Sequence, residues 1–157
     1  MKTLTLANYK EILGENIDFT LACMNYTLSD EFIEKFRKEI DWDSISWFSV
    51  LDEKFIRKYQ EKLNWRSIVS KQKLSESFIK EFRDLVDWKL VSSKQKLSES
   101  FIKEFRDLVD WEKISCYQKL SESFIKEFKD LVDLESIAMC QKLSESFISE
   151  NLDKLDI

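Results

Sequence analysis

The sequence predicts an all-α fold: an α-solenoid of about six 23-residue two-helix repeats, opened by a degenerate N-terminal unit and closed by a polar C-terminal cap. Three observations lead there. The first is a period of 23 residues. Leu28, Leu51, Leu74, Leu97, Leu120 and Leu143 begin successive units, while Trp42, Trp65, Trp88 and Trp111 mark a second fixed point that Leu134 continues. Within this frame KQKLSESFIKEFRDLVDW stands unchanged at 71–88 and again at 94–111. The second observation is a pair of helix-start signals in every unit. Ser29, Asp52, Ser75, Ser98, Ser121 and Ser144 form one set, and Asp18, Asp41, Asn64, Asp87, Asp110 and Asp133 the other. Each side chain can accept a hydrogen bond from the free N–H groups of a first helical turn. The third is the apolar pair that brackets these caps at staple spacing, as in Leu74 with Ile79, Leu97 with Ile102, Val86 with Val91 and Val109 with Ile114. Two caps per unit mean two helices per unit. A single long helix or coiled coil would be interrupted at every cap, and a period of 23 fits no heptad series.

Taken in order, residues 1–27 form the degenerate unit, in which Tyr9, Leu13, Ile17 and Phe19 fall at the phase of Phe78, Phe82, Val86 and Trp88. Residues 28–142 are five repeats and 143–157 a half-repeat cap, all within a single domain, 1–157. In the cap, Asn151 takes the position of Phe82, Phe105 and Phe128, and Lys154 that of Leu131. Inside a repeat, helix A is predicted over about 76–86, with Phe78, Ile79, Phe82, Leu85 and Val86 on its apolar face. Helix B is predicted over about 88–96, with Trp88, Val91 and Gln95 inward. One unit buries too little apolar surface to offset the entropy of ordering its own chain, so neighbours must cover each other's faces.

Composition narrows the function classes. With 43% hydrophobic and 13% aromatic residues the chain has the material for a core, and a net charge of −5 argues against a broad attraction to nucleic acid or anionic lipid. Histidine and proline are absent and Gly14 is the sole glycine, which removes the commonest general base and metal ligand together with any phosphate-cradling loop. No catalytic, metal or cofactor-binding residues are therefore assigned, and no enzyme activity is expected. Cys23, Cys116 and Cys140 are odd in number and stand at unrelated spacings, and MKTLTLANYKEILGENID holds no signal-like apolar run. A cytoplasmic setting is the expectation. No stretch approaches the ~18 apolar residues of a membrane span.

Three sets of surface positions compete for a role. Helix A carries Glu76, Lys80, Glu81, Arg83 and Asp84, whose alternating signs read as a solvated face laced with i,i+4 pairs such as Glu76 with Lys80. Gln72, Gln95, Gln118 and Gln141 hold one position on the inner side of helix B and are expected to bond to the backbone or side chains of adjacent units. The third set does not repeat. The fifth and sixth residues after each tryptophan or its substitute are Met24 and Asn25, Trp47 and Phe48, Ser70 and Lys71, Ser93 and Lys94, Cys116 and Tyr117, then Met139 and Cys140. A constant scaffold with one varied face is how solenoids present a binding surface, so Trp47, Phe48, Lys71, Lys94, Tyr117 and Met139 are assigned as protein-binding. The bland reading is that these residues close gaps between units or vary by tolerance alone.

Units of the form QKLSESFIKEFRDLVDW followed by an Ile-Ser pair, as in WEKISCYQKLSESFI at 111–125, resemble the short tandem helical repeats found in proteins of large DNA viruses and bacteriophages. The resemblance covers about 17–157, strongly over 71–148, and supplies no catalytic residues. It implies a virus-encoded, non-enzymatic solenoid in the host cytoplasm that binds and inhibits a host defence protein, such as an anti-CRISPR factor. A nucleic-acid-binding solenoid is the first alternative, since Lys71, Lys73, Lys94, Lys96, Lys119 and Lys142 could track a backbone with help from Arg83, Arg106 and Lys129, although interleaved carboxylates cancel most of that field. A designed or purely structural repeat is the second. The structural role of the glutamines is testable at once: Gln95→Leu is expected to shift the thermal midpoint or the solution scattering profile, and a variant that moves neither would remove that role.

Overall fold

The computed structural model describes residues 2–151 and is an all-α repeat solenoid in which helices come in pairs. It divides into two compact units between Lys73 and Leu74. The first holds β1 (Lys2–Leu4), α1 (Tyr9–Leu13), α2 (Phe19–Asn25), β2 (Tyr26–Leu28), α3 (Asp30–Lys35), α4 (Trp42–Phe48), α5 (Glu53–Tyr59) and α6 (Trp65–Lys71). The second holds α7 (Glu76–Glu81), α8 (Trp88–Lys94), α9 (Glu99–Glu104), α10 (Trp111–Tyr117), α11 (Glu122–Glu127), α12 (Leu134–Cys140) and α13 (Glu145–Glu150). Odd-numbered helices are the A helices and even-numbered ones the B helices. B packs on B, α2 on α4 and α4 on α6 in the first unit, α8 on α10 and α10 on α12 in the second. Among the described residues no helix is long and apolar enough to cross a membrane.

All twelve predicted caps form. Ser75 Oγ accepts from Phe78 N at 3.2 Å, Ser98 and Ser121 do the same for Phe101 and Phe124, and Asp110 Oδ1 accepts from Lys113 N at 3.0 Å. Both helices are shorter than predicted. The A helix α7 stops at Glu81 because Phe82 leaves the helical region (φ −104°, ψ 25°), and the chain makes one further turn in which Leu85 N and Val86 N both donate to Phe82 O. This break re-aims the apolar face: Phe82 and Val86 are buried, but Leu85 is 49% exposed and not part of the core. The B helix α8 ends at Lys94, since Gln95 is already extended (φ −97°, ψ 153°). Lys154, expected in the polar cap, lies outside the described residues, and Asn151 is half-buried.

Burial is concentrated where the period placed it. Phe78, Ile79, Val91, Ile102, Ile114 and Ile125 are essentially inaccessible. Trp88 stacks on Phe101 and Phe105 of the next repeat, with centroids 6.2 and 5.1 Å away, and Trp111 stacks on Phe124 and Phe128 in the same way. Each indole stays half-buried so that its N–H can donate to a backbone carbonyl five residues earlier, Arg83 O for Trp88 and Arg106 O for Trp111. An aromatic ring thus seals the seam while its polar edge satisfies the turn that ends helix A.

Two polar ladders set the spacing of the repeats. In the first, the extended glutamine reaches back one repeat. Gln118 Oε1 accepts from Leu97 N at 3.0 Å, and its Nε2 donates to Ser92 O and Gln95 O at 2.7 and 2.8 Å. Gln72 does this for Leu51 N and Ser49 O, and Gln141 for Leu120 N, Ser115 O and Gln118 O. In the second, a buried serine reaches forward. Ser92 Oγ donates to Trp88 O at 2.7 Å and accepts from Asp110 N at 3.0 Å, and Ser46 and Ser115 repeat the arrangement with Asn64 N and Asp133 N. The charged face of helix A also ties repeats together. Glu76 accepts from Ser98 N at 2.5 Å, while Lys80 pairs with Glu104, Lys103 with Glu127 and Lys126 with Glu150, each one repeat and one residue on. The expected pair within the helix, Glu76 with Lys80, gives way to these contacts because a facing neighbour lies closer to each head group.

The N-terminal unit departs from a pure helix pair. β1 runs parallel to β2, with Lys2 opposite Tyr26 and Leu4 opposite Leu28. Strand β2 occupies the position at which later repeats carry Gln-Lys-Leu, and β1 gives its backbone a partner. Tyr26 accordingly replaces the glutamine. The ladder is also interrupted at Ser49, which stands at the glutamine position of its repeat. Its Oγ is buried and unpaired, and a recess of about 560 Å³ opens beside it, bordered by Leu28, Ile33, Ile45, Leu51 and Phe55. Restoring the amide should close this gap: Ser49→Gln is expected to stabilise the chain by about 1 kcal/mol in denaturant unfolding, and a destabilised variant would show that this position does not continue the ladder.

Candidate protein-binding surface

The varied positions are set by the local geometry of the B helices. At α4, Asp41 caps the first turn by accepting from Asp43 N and Ser44 N at 3.1 and 3.3 Å, and Ser44 Oγ donates to Asp41 Oδ2 at 2.7 Å. That hydroxyl bond is the main reason the Asp41 carboxyl sits below its ordinary range. With the start fixed, Ile45 and Ser46 turn inward and are buried, and the next two residues rotate outward. Trp47 is 46% exposed and Phe48 39%. Lys71, at the end of α6, lays its Nζ 3.9 Å from the centroid of the Trp47 ring, a cation–π contact between neighbouring B helices.

In the second unit the same positions carry other chemistry. Lys94 ends α8 and is exposed, Tyr117 ends α10 with 59% of its surface open, and Met139 on α12 is 79% exposed. Met139 borders a shallow recess with Glu112, Asp133, Glu135 and Ser136, so its apolar side chain stands among carboxylates. Of the six predicted residues, contact joins Trp47 with Lys71. Phe48, Lys94, Tyr117 and Met139 are each presented separately on their helices.

Two exposed features escaped the sequence reading. Leu85, Leu108 and Leu131 form a periodic exposed set, each about half accessible, where helical periodicity had placed them in the core. The signal was present, because the same position holds Glu39 and Lys62 in earlier repeats, side chains that a buried site would not accept. The other feature is a charge cluster in the first unit. Tyr59 Oη donates to Glu34 Oε1 at 2.5 Å and Lys58 Nζ lies 2.6 Å from the same oxygen. The bond from Lys58, then that from Tyr59, lowers the Glu34 carboxyl, and burial followed by the Glu34 bond raises the Tyr59 phenol. Tyr59 stands where the later repeats carry phenylalanine, which accounts for its inward ring and outward hydroxyl.

The chain matches no protein-family model, no curated protein and no solved structure. The assignment of the surface therefore rests on its own residues. If the leucine set is solvent-facing, Leu85→Lys, Leu108→Lys and Leu131→Lys should each change unfolding free energy by less than about 0.5 kcal/mol. A loss of several kcal/mol for any one of them would return that leucine to the core.

Proposed function

We propose that this chain is a non-enzymatic protein-binding solenoid and that the fifth and sixth positions of its B helices contact the partner. The observation that carries the reading is the coincidence of variation with exposure. Trp47, Phe48, Tyr117 and Met139 lie at positions where the repeats differ, and all four large side chains are substantially open to solvent. Tryptophan and tyrosine supply large contact area at low entropic cost and are enriched among residues that dominate interfaces. A tolerated surface would more often have drifted to small or charged residues, as at Ser93 and Lys94.

The resemblance to viral and phage repeats extends this reading to a host protein as partner and an inhibitory, anti-defence role, of which an anti-CRISPR activity is one form. A nucleic-acid partner is disfavoured by pairing. Lys80, Lys103 and Lys126 are each engaged by a glutamate of the next repeat, and Arg83 and Arg106 lie within 3.8 Å of Asp84 and Asp107. Those pairs occupy the cations of helix A, so a phosphate backbone would have to be held by the lysines between the repeats, Lys73, Lys96, Lys119 and Lys142, without their help.

The test uses the immobilised chain and a lysate of a candidate host, with captured proteins identified by mass spectrometry. The triple variant Trp47→Ala, Phe48→Ala, Tyr117→Ala is expected to lose the captured protein by at least tenfold while keeping its helical circular dichroism. Undiminished capture by a folded triple variant would move the binding surface elsewhere. Salt-sensitive retention of DNA or RNA by the unaltered chain would replace the proposal with the nucleic-acid reading.

A further inference from the structure

The sulfurs of Cys116 and Cys140 lie 2.9 Å apart, one on α10 and the other on α12. Their separation in sequence is 24 residues, one period plus one. That offset is the register at which neighbouring B helices meet: Trp47 and Lys71 are also 24 apart and also touch, the fifth residue of one helix against the sixth of the next. The register of the stack thus makes the two positions neighbours, and their side-chain rotamers set the 2.9 Å separation. Of the B-helix pairs within either unit, only this one carries cysteine at both positions.

We infer that Cys116 and Cys140 are a redox modification site, at which a low-molecular-weight disulfide such as oxidised glutathione is reduced while an intramolecular disulfide closes between α10 and α12. Reaching the ~2.04 Å of a disulfide requires the sulfurs to move together by a further ~0.9 Å. The chemistry is two exchanges. Cys140 is exposed and Cys116 half-buried, so the Cys140 thiolate attacks oxidised glutathione first, forming a mixed disulfide and releasing one glutathione thiolate. The Cys116 thiolate then attacks the Cys140 sulfur and expels the second glutathione. Two protein thiols are oxidised, one glutathione disulfide is reduced to two thiols, and no other reagent is required. The hydrogen bond with Cys116 holds the Cys140 thiol above its ordinary range, which slows the first exchange, while the adjacent sulfur makes the second effectively intramolecular. Cys23 takes no part: it is fully buried and burial pushes its thiol up to about 12. The site stands on its own geometry and requires no binding partner.

The full chain is incubated with oxidised glutathione, quenched with an alkylating reagent and read by intact mass and peptide mapping. Reactive thiols are expected to fall from three under denaturing conditions to one, Cys23, with Cys116 and Cys140 linked in a single peptide pair within one chain. Cys116→Ser is expected to stop at the first exchange and keep one glutathione on Cys140, with its helical signal intact. Stable glutathione adducts on the unaltered chain, a linkage between chains, or one involving Cys23 would each overturn the inference.

Discussion

A 23-residue unit that cannot fold alone must be told how far to sit from its neighbour, and apolar contact is too permissive to say so. The glutamine amide supplies that distance. In Gln118 the acceptor contact holds Leu97 N at the start of its own repeat, the two donor contacts reach Ser92 O and Gln95 O of the preceding one, and the side chain is buried at 5% exposure. A displaced repeat would leave those backbone groups unpaired away from water, at a cost of about 1–3 kcal/mol for each group. The extended conformation at Gln95 and Gln118, the early end of every B helix and the inward serine at Ser92 and Ser115 all follow from serving this contact. The stacked Trp and Phe rings and the buried aliphatic side chains provide the attraction, and the amides determine where it stops.

Because the spacing is set from the inner side, the outer side is released from structural duty. Ser92 cannot change without freeing Asp110 N, but Ser93 can, since its hydroxyl bonds only to its own helix at Lys89 O and Leu90 O. The fourth residue after the tryptophan or its substitute accordingly stays small, as Cys23, Ser46, Val69, Ser92, Ser115 and Ala138, whereas the fifth and sixth range from serine to tryptophan. This contrast also separates two kinds of exposed hydrophobe: the leucines at 85, 108 and 131 recur by repetition, whereas Trp47 and Tyr117 occur once each in the position they occupy.

Local signals were legible in the sequence and directional ones were not. A cap is decided within three residues, so Ser75 or Asp110 can be read directly, and the same holds for the staple pairs. The exposure of Trp47 and Phe48 also follows from helical phase once Asp41 fixes the start. Leu85 could not be placed by phase, since the break at Phe82 depends on packing against the following turn. Strand β1 is three residues long and is defined by its pairing with β2, a partner that lies 24 residues on and leaves no periodic signal in Lys2–Leu4. The cysteines looked unrelated when their spacings were compared with one another. Measured against the period, Cys116 and Cys140 are neighbours.

The identity of 71–88 and 94–111 has a consequence for heredity as well as for packing. Removing residues 94–116 would join Ser93 to Tyr117 and bring Gln118 to the place held by Gln95, with every cap, staple and amide still in register. Length in such a chain can therefore change in whole steps of one period with the frame still in register. The same step would carry away Cys116 and shorten the outer surface by one pair of side chains. A deletion of one period thus alters both the extent and the chemistry of what the chain presents in a single step.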